Sequence, residues 1–396
     1  MENHSRKKIM LASPFFYPEP IGAGKYNTFL SKKLLEKECT VTVICSYPLY
    51  PAWQPQFTNE TLHATEILRD GLNVTYPKKT IARRLVLESW FCRYFFSMAK
   101  NLKETEVVIA VIPPVFFAFW IKYFFKKAKK IAIVHDLMGV MANSHKSSMR
   151  TLVAAIVKKI ESFILRRFDK VICLSESMRT TMVNEYKLKE DRCEVHYPFV
   201  TIKEIIERPC TWNELFPRDY IHLVYAGALG EKHNPEELYR FLEIVANNRQ
   251  QIMCHVFSRG PIFDKLNKQN KQKRILFHDL VSEDLLPSLY ACSDIQIIPQ
   301  AEGTSTGAFP SKIPNILASG VPILGICDHG SELEIIIRES GTGFVVSSWE
   351  TLKLLSALDD LLADISKESR SDRITRTQQY VNNKFSVDRL VDSLTH

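Results

Sequence analysis

The feature that most constrains this chain is an alternation of short β-branched runs with helix-spaced segments, which comes twice in its 396 residues. Lys8–Ser13 is a short apolar run, a Pro- and Gly-containing loop follows, Lys25–Glu36 has helical spacing, and Thr40–Cys45 reads Thr-Val-Thr-Val-Ile-Cys. Strand, helix, strand in that order makes a parallel βαβ unit. The same order returns at Val107–Ile112, Lys130–His135 and Lys170–Leu174. After a stretch interrupted by Pro198, Pro209 and Pro217 a second series begins. Its expected strands are Ile221–Ala226, Ile252–Phe257, Arg274–Phe277, Ile295–Ile298, Pro322–Ile326 and Gly343–Val346, with Pro235–Ala246 and Ser311–Ala318 among the helices. The expected fold class is α/β, two tandem Rossmann-like domains facing a central cleft, with ligands beyond the carboxyl ends of the strands.

Composition bounds the alternatives. With 45% hydrophobic and 24% charged residues, and Pro and Gly scattered without a period, disordered, collagen-like and solenoid chains are excluded. The 52 Lys and Arg outnumber the 44 Asp and Glu by eight, and the window Trp120–Lys170, with twelve basic and three acidic residues, carries the whole excess. Aromatic and aliphatic residues (Trp120, Tyr123, Phe124, Phe125, Ile156, Ile160, Phe163, Ile164) are interleaved with these charges, which suits an anionic membrane surface and equally a solvated helix face over a core. Nucleic acid is not an expected partner, since no recognisable binding motif accompanies the charge. Nine cysteines without a C-x-x-C pair read as reduced thiols of a cytoplasmic protein, and the start of the chain lacks a signal-peptide core. The longest uncharged apolar run, Val107–Ile121, has 15 residues and contains Pro113-Pro114, against ~20 for a spanning helix. The expected localisation is cytoplasmic, at most peripheral on the inner leaflet of the cytoplasmic membrane.

Four stretches can carry chemistry. The loop Pro14–Lys25 holds Glu19, Gly22 and Gly24 ahead of a helix whose amides can face a phosphate or sugar oxygen; it lacks the third glycine of a dinucleotide fingerprint, and a glycine pair that merely turns the chain is the plain alternative. His135-Asp136 ends a strand, where the imidazole can bond a sugar hydroxyl or carry a proton, against a purely structural role. Gly227 opens the loop after the second series' first strand, and Lys232 precedes the helix at Pro235; Arg259 follows the next strand, so two cations can meet a pyrophosphate or stand as solvated surface charges. The polar run Pro299–Ser311 leads through Lys312 and Asn315 into a helix ending Ala318-Ser319-Gly320 before Val321-Pro322, a loop that can turn backbone amides toward phosphates.

The ordering of these four stretches, with Pro310-Ser311-Lys312 running to Ala318-Ser319-Gly320-Val321-Pro322, resembles the retaining glycosyltransferases of family 4, of GT-B fold, in their colanic-acid and capsule branch. The resemblance implies an acceptor-binding Rossmann-like domain over residues 1–200, a nucleotide-sugar-binding one over 218–372, and a C-terminal helix over 373–396 packed back on the first. It implies sugar transfer from a nucleoside diphosphate sugar, with no cofactor or obligatory metal, to a lipid-linked or glycan acceptor in capsule, exopolysaccharide or O-antigen synthesis. A catalytically silent scaffold subunit and a sugar-nucleotide epimerase are the alternatives. Carried onto this chain, it makes Lys232, Arg259 and His135 the catalytic residues and Gly227, Glu302, Thr306, Gly307, Ala308, Lys312 and Asn315 the donor contacts. Glu19, Gly22, Gly24 and Asp136 take the acceptor side. The family's Arg before the lysine is replaced by Ala228, and its two glutamates by Gly307 and Asn315. An amide can still bond ribose hydroxyls, as donor and acceptor.

Overall fold

Val107–Ile112, six consecutive apolar residues, is buried along its whole length, as a central parallel strand covered on both faces must be. The computed structural model describes residues 6–19, 22–49, 52–137, 148–202, 204–205, 212–305 and 309–396. The chain divides into one unit made of Met1–Pro198 with Ser386–His396 and another made of Phe199–Phe385.

The first unit holds a parallel seven-stranded sheet in the order β3-β2-β1-β4-β5-β6-β7. Its strands are β1 (Lys8–Ala12), β2 (Thr40–Ser46), β3 (Thr65–Asp70), β4 (Val107–Ile112), β5 (Lys129–Val134), β6 (Lys170–Cys173) and β7 (Cys193–Val195). Helices Gly22–Glu36, Thr80–Ala99, Ser148–Leu165 and Glu176–Asn184 connect them. Phe91 and Phe95 of the second helix pack against Phe117 at 4.9 and 5.0 Å between ring centroids, at the centre of this unit's core.

The second unit repeats the plan with six parallel strands in the order β10-β9-β8-β11-β12-β13. They are β8 (Ile221–Ala226), β9 (Ile252–Phe257), β10 (Ile275–His278), β11 (Ile295–Pro299), β12 (Ile323–Ile326) and β13 (Gly343–Val346). In each sheet the strand order reverses once, between β1 and β4 and between β8 and β11, and such switch points open the crevices that ligands use in doubly wound folds. Three histidines thread the second sheet: His222 Nδ1 lies 3.0 Å from His255 Nε2, and His255 Nδ1 lies 3.1 Å from His278 Nε2. The Pro217 carbonyl, 2.9 Å from His222 Nε2, can only accept, so each ring in turn donates from Nε2 and accepts at Nδ1.

The C-terminal segment differs from expectation. It is two helices, Arg370–Lys384 and Val387–Thr395, and only the second belongs to the first unit. Arg373 and Arg376 hold the first of them on the second unit, through the carbonyls of Gly320 (3.1 Å) and Ser340 (2.8 Å). The second buries Leu390, Val391 and Leu394, and Lys37 pairs with Asp392 at 3.1 Å. Among the described residues no helix is long and apolar enough to cross a membrane, and eight cysteines are free thiols.

Candidate functional site

The second unit's switch point gathers the charge that the sequence placed in separate stretches. Ala226 ends β8, and Gly227 follows with φ +138°, a left-handed conformation that side chains resist. The turn is pinned on three sides. Gly227 N donates to the Phe257 carbonyl (3.0 Å), Leu229 N to Ser258 Oγ (3.1 Å), and the buried Tyr225 hydroxyl to the Ala228 carbonyl (2.9 Å). Helix Pro235–Asn248 then starts from Asn234 in left-handed conformation, with Lys232 exposed just ahead of it.

Lys312 comes to the same place from the other side of the switch point. Its Nζ donates to the Ala226 carbonyl at 2.9 Å and stands 4.4 Å from the centre of the Tyr225 ring. A methyl group added at Gly227 would find Lys312 Nζ at 3.8 Å. The side chain keeps part of its surface exposed while its ammonium is enclosed, and that desolvation, reinforced by the Lys232 charge, pushes its pKa down to about 7. Among the described residues no carboxylate pairs with it. His233 answers to the same two lysines. Desolvation first, then Lys312 and Lys232, push it down to about 3, so at neutral pH it is an uncharged acceptor for Gly230 N at 3.1 Å. Enclosed positive charge beside a glycine turn at the head of a helix is what a diphosphate needs.

Other expected donor contacts fall elsewhere. Arg259 makes a two-point ion pair with Asp279, at 2.8 and 2.7 Å, on an exposed edge, so the second cation beside Gly227 is Lys312. Asn315, 2% exposed, spends its amide on the chain entering this unit: Oδ1 accepts from Thr201 N (2.7 Å) and Ile202 N (3.4 Å), and Nδ2 donates to Thr201 Oγ1 (2.9 Å). It is a clasp, and the ribose role expected of it is not what its hydrogen bonds serve. Glu302 is exposed at the tip of the loop after β11, beside Gly303. Thr306, Gly307 and Ala308 lie outside the described residues. Asp328, which no sequence motif marked, ties this loop down by accepting from Gly303 N (2.9 Å) and Ser305 N (3.2 Å), while Ala301 N donates to the Lys232 carbonyl (2.9 Å) and joins the two loops.

On the first unit, Gly22 opens its helix with φ +58°, and Gly24 is required by close approach, since a Cβ there would meet Glu19 Cβ at 2.5 Å. Glu19 is turned inward, 6% exposed, with Oε2 accepting from Leu49 N at 2.9 Å, so it braces the loop instead of presenting its carboxylate to an acceptor. His135 and Asp136 are half-buried past the end of β5. Desolvation pushes His135 down to about 4, which keeps its imidazole neutral at physiological pH, able to donate and accept hydrogen bonds but not to hold a positive charge. Arg84, missed because its helix was not foreseen, sits in the combined field of Asp136, Glu88 and Glu161, while burial lowers its pKa. Among the described residues no group of three or more His, Cys, Asp or Glu is placed to hold a metal.

Comparison with known proteins agrees with this division. Residues 20–204 match the Glycosyltransferase Family 4 domain and residues 221–364 the Glycosyl transferases group 1 domain. A putative colanic acid biosynthesis glycosyl transferase of Escherichia coli K12, WcaI, is 24% identical over 339 residues, 79% of this chain and 81% of that protein. Sucrose-phosphate synthase of Thermosynechococcus elongatus shares the fold with a TM-score of 0.75 at 15% identity, over 98% of each chain. WaaG, a glycosyltransferase of lipopolysaccharide biosynthesis, does so at 0.69 and 12% identity over 98% of this chain and 99% of its own. HepE of Anabaena, solved with UDP and glucose, does so at 0.66 and 13% identity over 98% of both.

Proposed function

For a glycosyltransferase chain such as this, a family 4 domain followed by a group 1 domain, we infer retaining transfer of a sugar from a nucleoside diphosphate sugar to a lipid-linked or other envelope glycan. The observation that carries the reading is the enclosed Lys312 ammonium against Ala226 and Gly227 with Lys232 beside it. When the bond from the anomeric carbon to the diphosphate oxygen breaks, its electron pair stays on the leaving diphosphate. Lys232 and Lys312 stand where that charge develops, and preorganised cations of this kind need no rearrangement as it forms. Stabilising the leaving charge by ~4 kcal/mol is worth roughly a thousandfold in rate. His135 serves the reacting sugar as a neutral hydrogen-bonding group, with Asp136 and Arg84 on the acceptor side. The two lysines supply the positive charge, so no metal is assigned and a chelator leaves the rate unchanged.

Names of similar proteins support the substrate class: one is named as a glycosyl transferase of colanic acid biosynthesis, another as a glycosyltransferase involved in lipopolysaccharide biosynthesis, and a third was solved with UDP and glucose. A lipid-linked acceptor places the enzyme at the cytoplasmic face of the membrane, and the basic, aromatic window of the first unit is assigned to that surface. A second reading, a silent scaffold for a partner transferase, is favoured by the diversion of Asn315 to Thr201. The purified protein, offered UDP, GDP, ADP and CMP sugars, separates the two. One donor class raises the melting temperature and is turned over, and Lys232→Ala abolishes turnover while the unliganded protein melts as before. If no nucleotide sugar binds at millimolar concentration, the transferase reading fails; binding without hydrolysis or transfer favours the scaffold.

A further inference from the structure

A concentration of positive charge lies at the opposite end of the first sheet from His135 and Asp136. Lys122, Lys126, Lys130, Arg166, Arg167 and Arg192 line one cleft, and Asp169 is the sole carboxylate among its lining residues. Lys130 is near the start of β5, Asp169 directly precedes β6, and Arg192 directly precedes β7, so the cleft sits at the amino ends of these strands, whereas His135 and Asp136 lie past the carboxyl end of β5. Asp169 is committed to Lys130, at 3.1 Å from Nζ and 2.8 Å from its backbone N. Arg166 reaches the Tyr186 carbonyl at 3.0 Å, and Arg192 the Arg166 carbonyl at 3.4 Å; neither contact removes charge. Lys122 and Lys126 are exposed and have no ion pair among the described residues, although nearby lysines are matched closely, Lys158 by Glu185 and Lys170 by Glu194, each at 2.6 Å. Cations held together without counter-charge repel one another, and a phosphate relieves that repulsion with charge-assisted hydrogen bonds.

An apolar ledge adjoins the cleft. Phe119 and Phe163, 38% and 54% exposed, stack at 6.4 Å between centroids. The Arg167 guanidinium lies over both, 4.5 and 4.1 Å from their ring centres, and so joins ledge to cleft. Tyr123 and Ile156 are exposed on the same two chain segments. Positive charge beside exposed aromatic surface matches the chemistry of an anionic phospholipid, whose phosphate adjoins the start of its acyl chains. We propose that this cleft binds the phosphate of an anionic membrane phospholipid that is not the acceptor, while the Phe119–Phe163 ledge enters the acyl boundary. The proposal rests on the membrane-facing part of the functional reading and gives it an address: the amino end of the first sheet docks, leaving the carboxyl-end residues His135 and Asp136 to the reaction.

The test uses the full chain and flotation with phosphatidylcholine vesicles, with and without phosphatidylglycerol. Wild type floats only with the anionic vesicles, and Lys122→Ala/Lys126→Ala weakens binding about thirty-fold, with an unchanged melting temperature because both lysines are exposed. Phe163→Ser weakens binding without changing its salt dependence, whereas the double variant flattens that dependence. Anionic binding that both variants leave intact overturns the cleft and ledge but not membrane docking. No binding of wild type to anionic vesicles removes both. Stabilisation by inorganic phosphate that depends on Lys122 and Lys126, without vesicle binding, makes this a site for soluble phosphate and overturns the lipid assignment.

Discussion

If the donor's diphosphate sits against Lys312 as proposed, its binding is a proton-linked event. In the unliganded protein burial and Lys232 hold its pKa at about 7, far below the 10.5 of a solvated lysine. A diphosphate beside the ammonium favours the charged form and raises that pKa, so binding takes up a proton. The sign follows: affinity is complete below the unliganded pKa and is lost as pH rises through it. From about pH 6 to about pH 8 the charged fraction falls from roughly nine-tenths to roughly one-tenth, so the Kd of a nucleoside diphosphate sugar weakens about tenfold. The sugar-capped diphosphate has no group of its own that titrates there. Calorimetry at about pH 8 in two buffers of different ionisation enthalpy should find about 0.9 proton taken up per ligand bound. Lys312→Arg, charged at every accessible pH, should bind with no pH dependence, and Lys312→Met weakly and also without it. A flat Kd and no proton uptake in wild type would show that Lys312 only clips the Ala226 carbonyl.

Two further expectations concern stability. His255, fully buried, is pushed down to about 2 by desolvation and then by His222 and His278, so the unfolded chain binds more protons below its ordinary pKa of about 6.5 and the fold loses about 2 kcal/mol at about pH 5. His255→Phe should therefore be less stable than wild type at about pH 7.5 by ~1–3 kcal/mol, with most of the gap closed at about pH 5, in urea titrations followed by Trp212 fluorescence beside Phe216; a gap independent of pH refutes the histidine chain. Asn315→Ala should cost about 2 kcal/mol by leaving Thr201 groups unpaired while nucleotide affinity changes less than about twofold; tenfold weaker binding at an unchanged melting temperature would return Asn315 to the ribose.

Legibility in the sequence followed burial and chain distance. Strands β4, β8 and β9 lie where β-branched and apolar runs announce them, because interior parallel strands need apolar residues on both faces. Strand β3, Thr-Glu-Ile-Leu-Arg-Asp, is a half-exposed edge with no period to detect, and the helix Thr80–Ala99 after it was lost with it, taking Arg84 out of view. Gly227, Lys232 and Lys312 could be grouped because loops that follow strands at a switch point face one crevice. What each polar group bonds was not legible where the partner is remote: Asn315 meets Thr201 from 114 positions away, and Asp328 ties down a loop 23 to 25 residues before it. Arg259 reads as a phosphate ligand until Asp279, 20 residues on, is seen to hold it.

If the second unit's switch point holds the donor's diphosphate between Lys232 and Lys312, a crystal structure with a bound, unreactive nucleoside diphosphate sugar should show it there. The expected density puts phosphate oxygens within hydrogen-bond reach of Lys312 Nζ, at the Gly227 turn, with Lys232 closing over them. Phosphates bound at another edge of the sheet, with Lys312 still on the Ala226 carbonyl and away from the ligand, would contradict it.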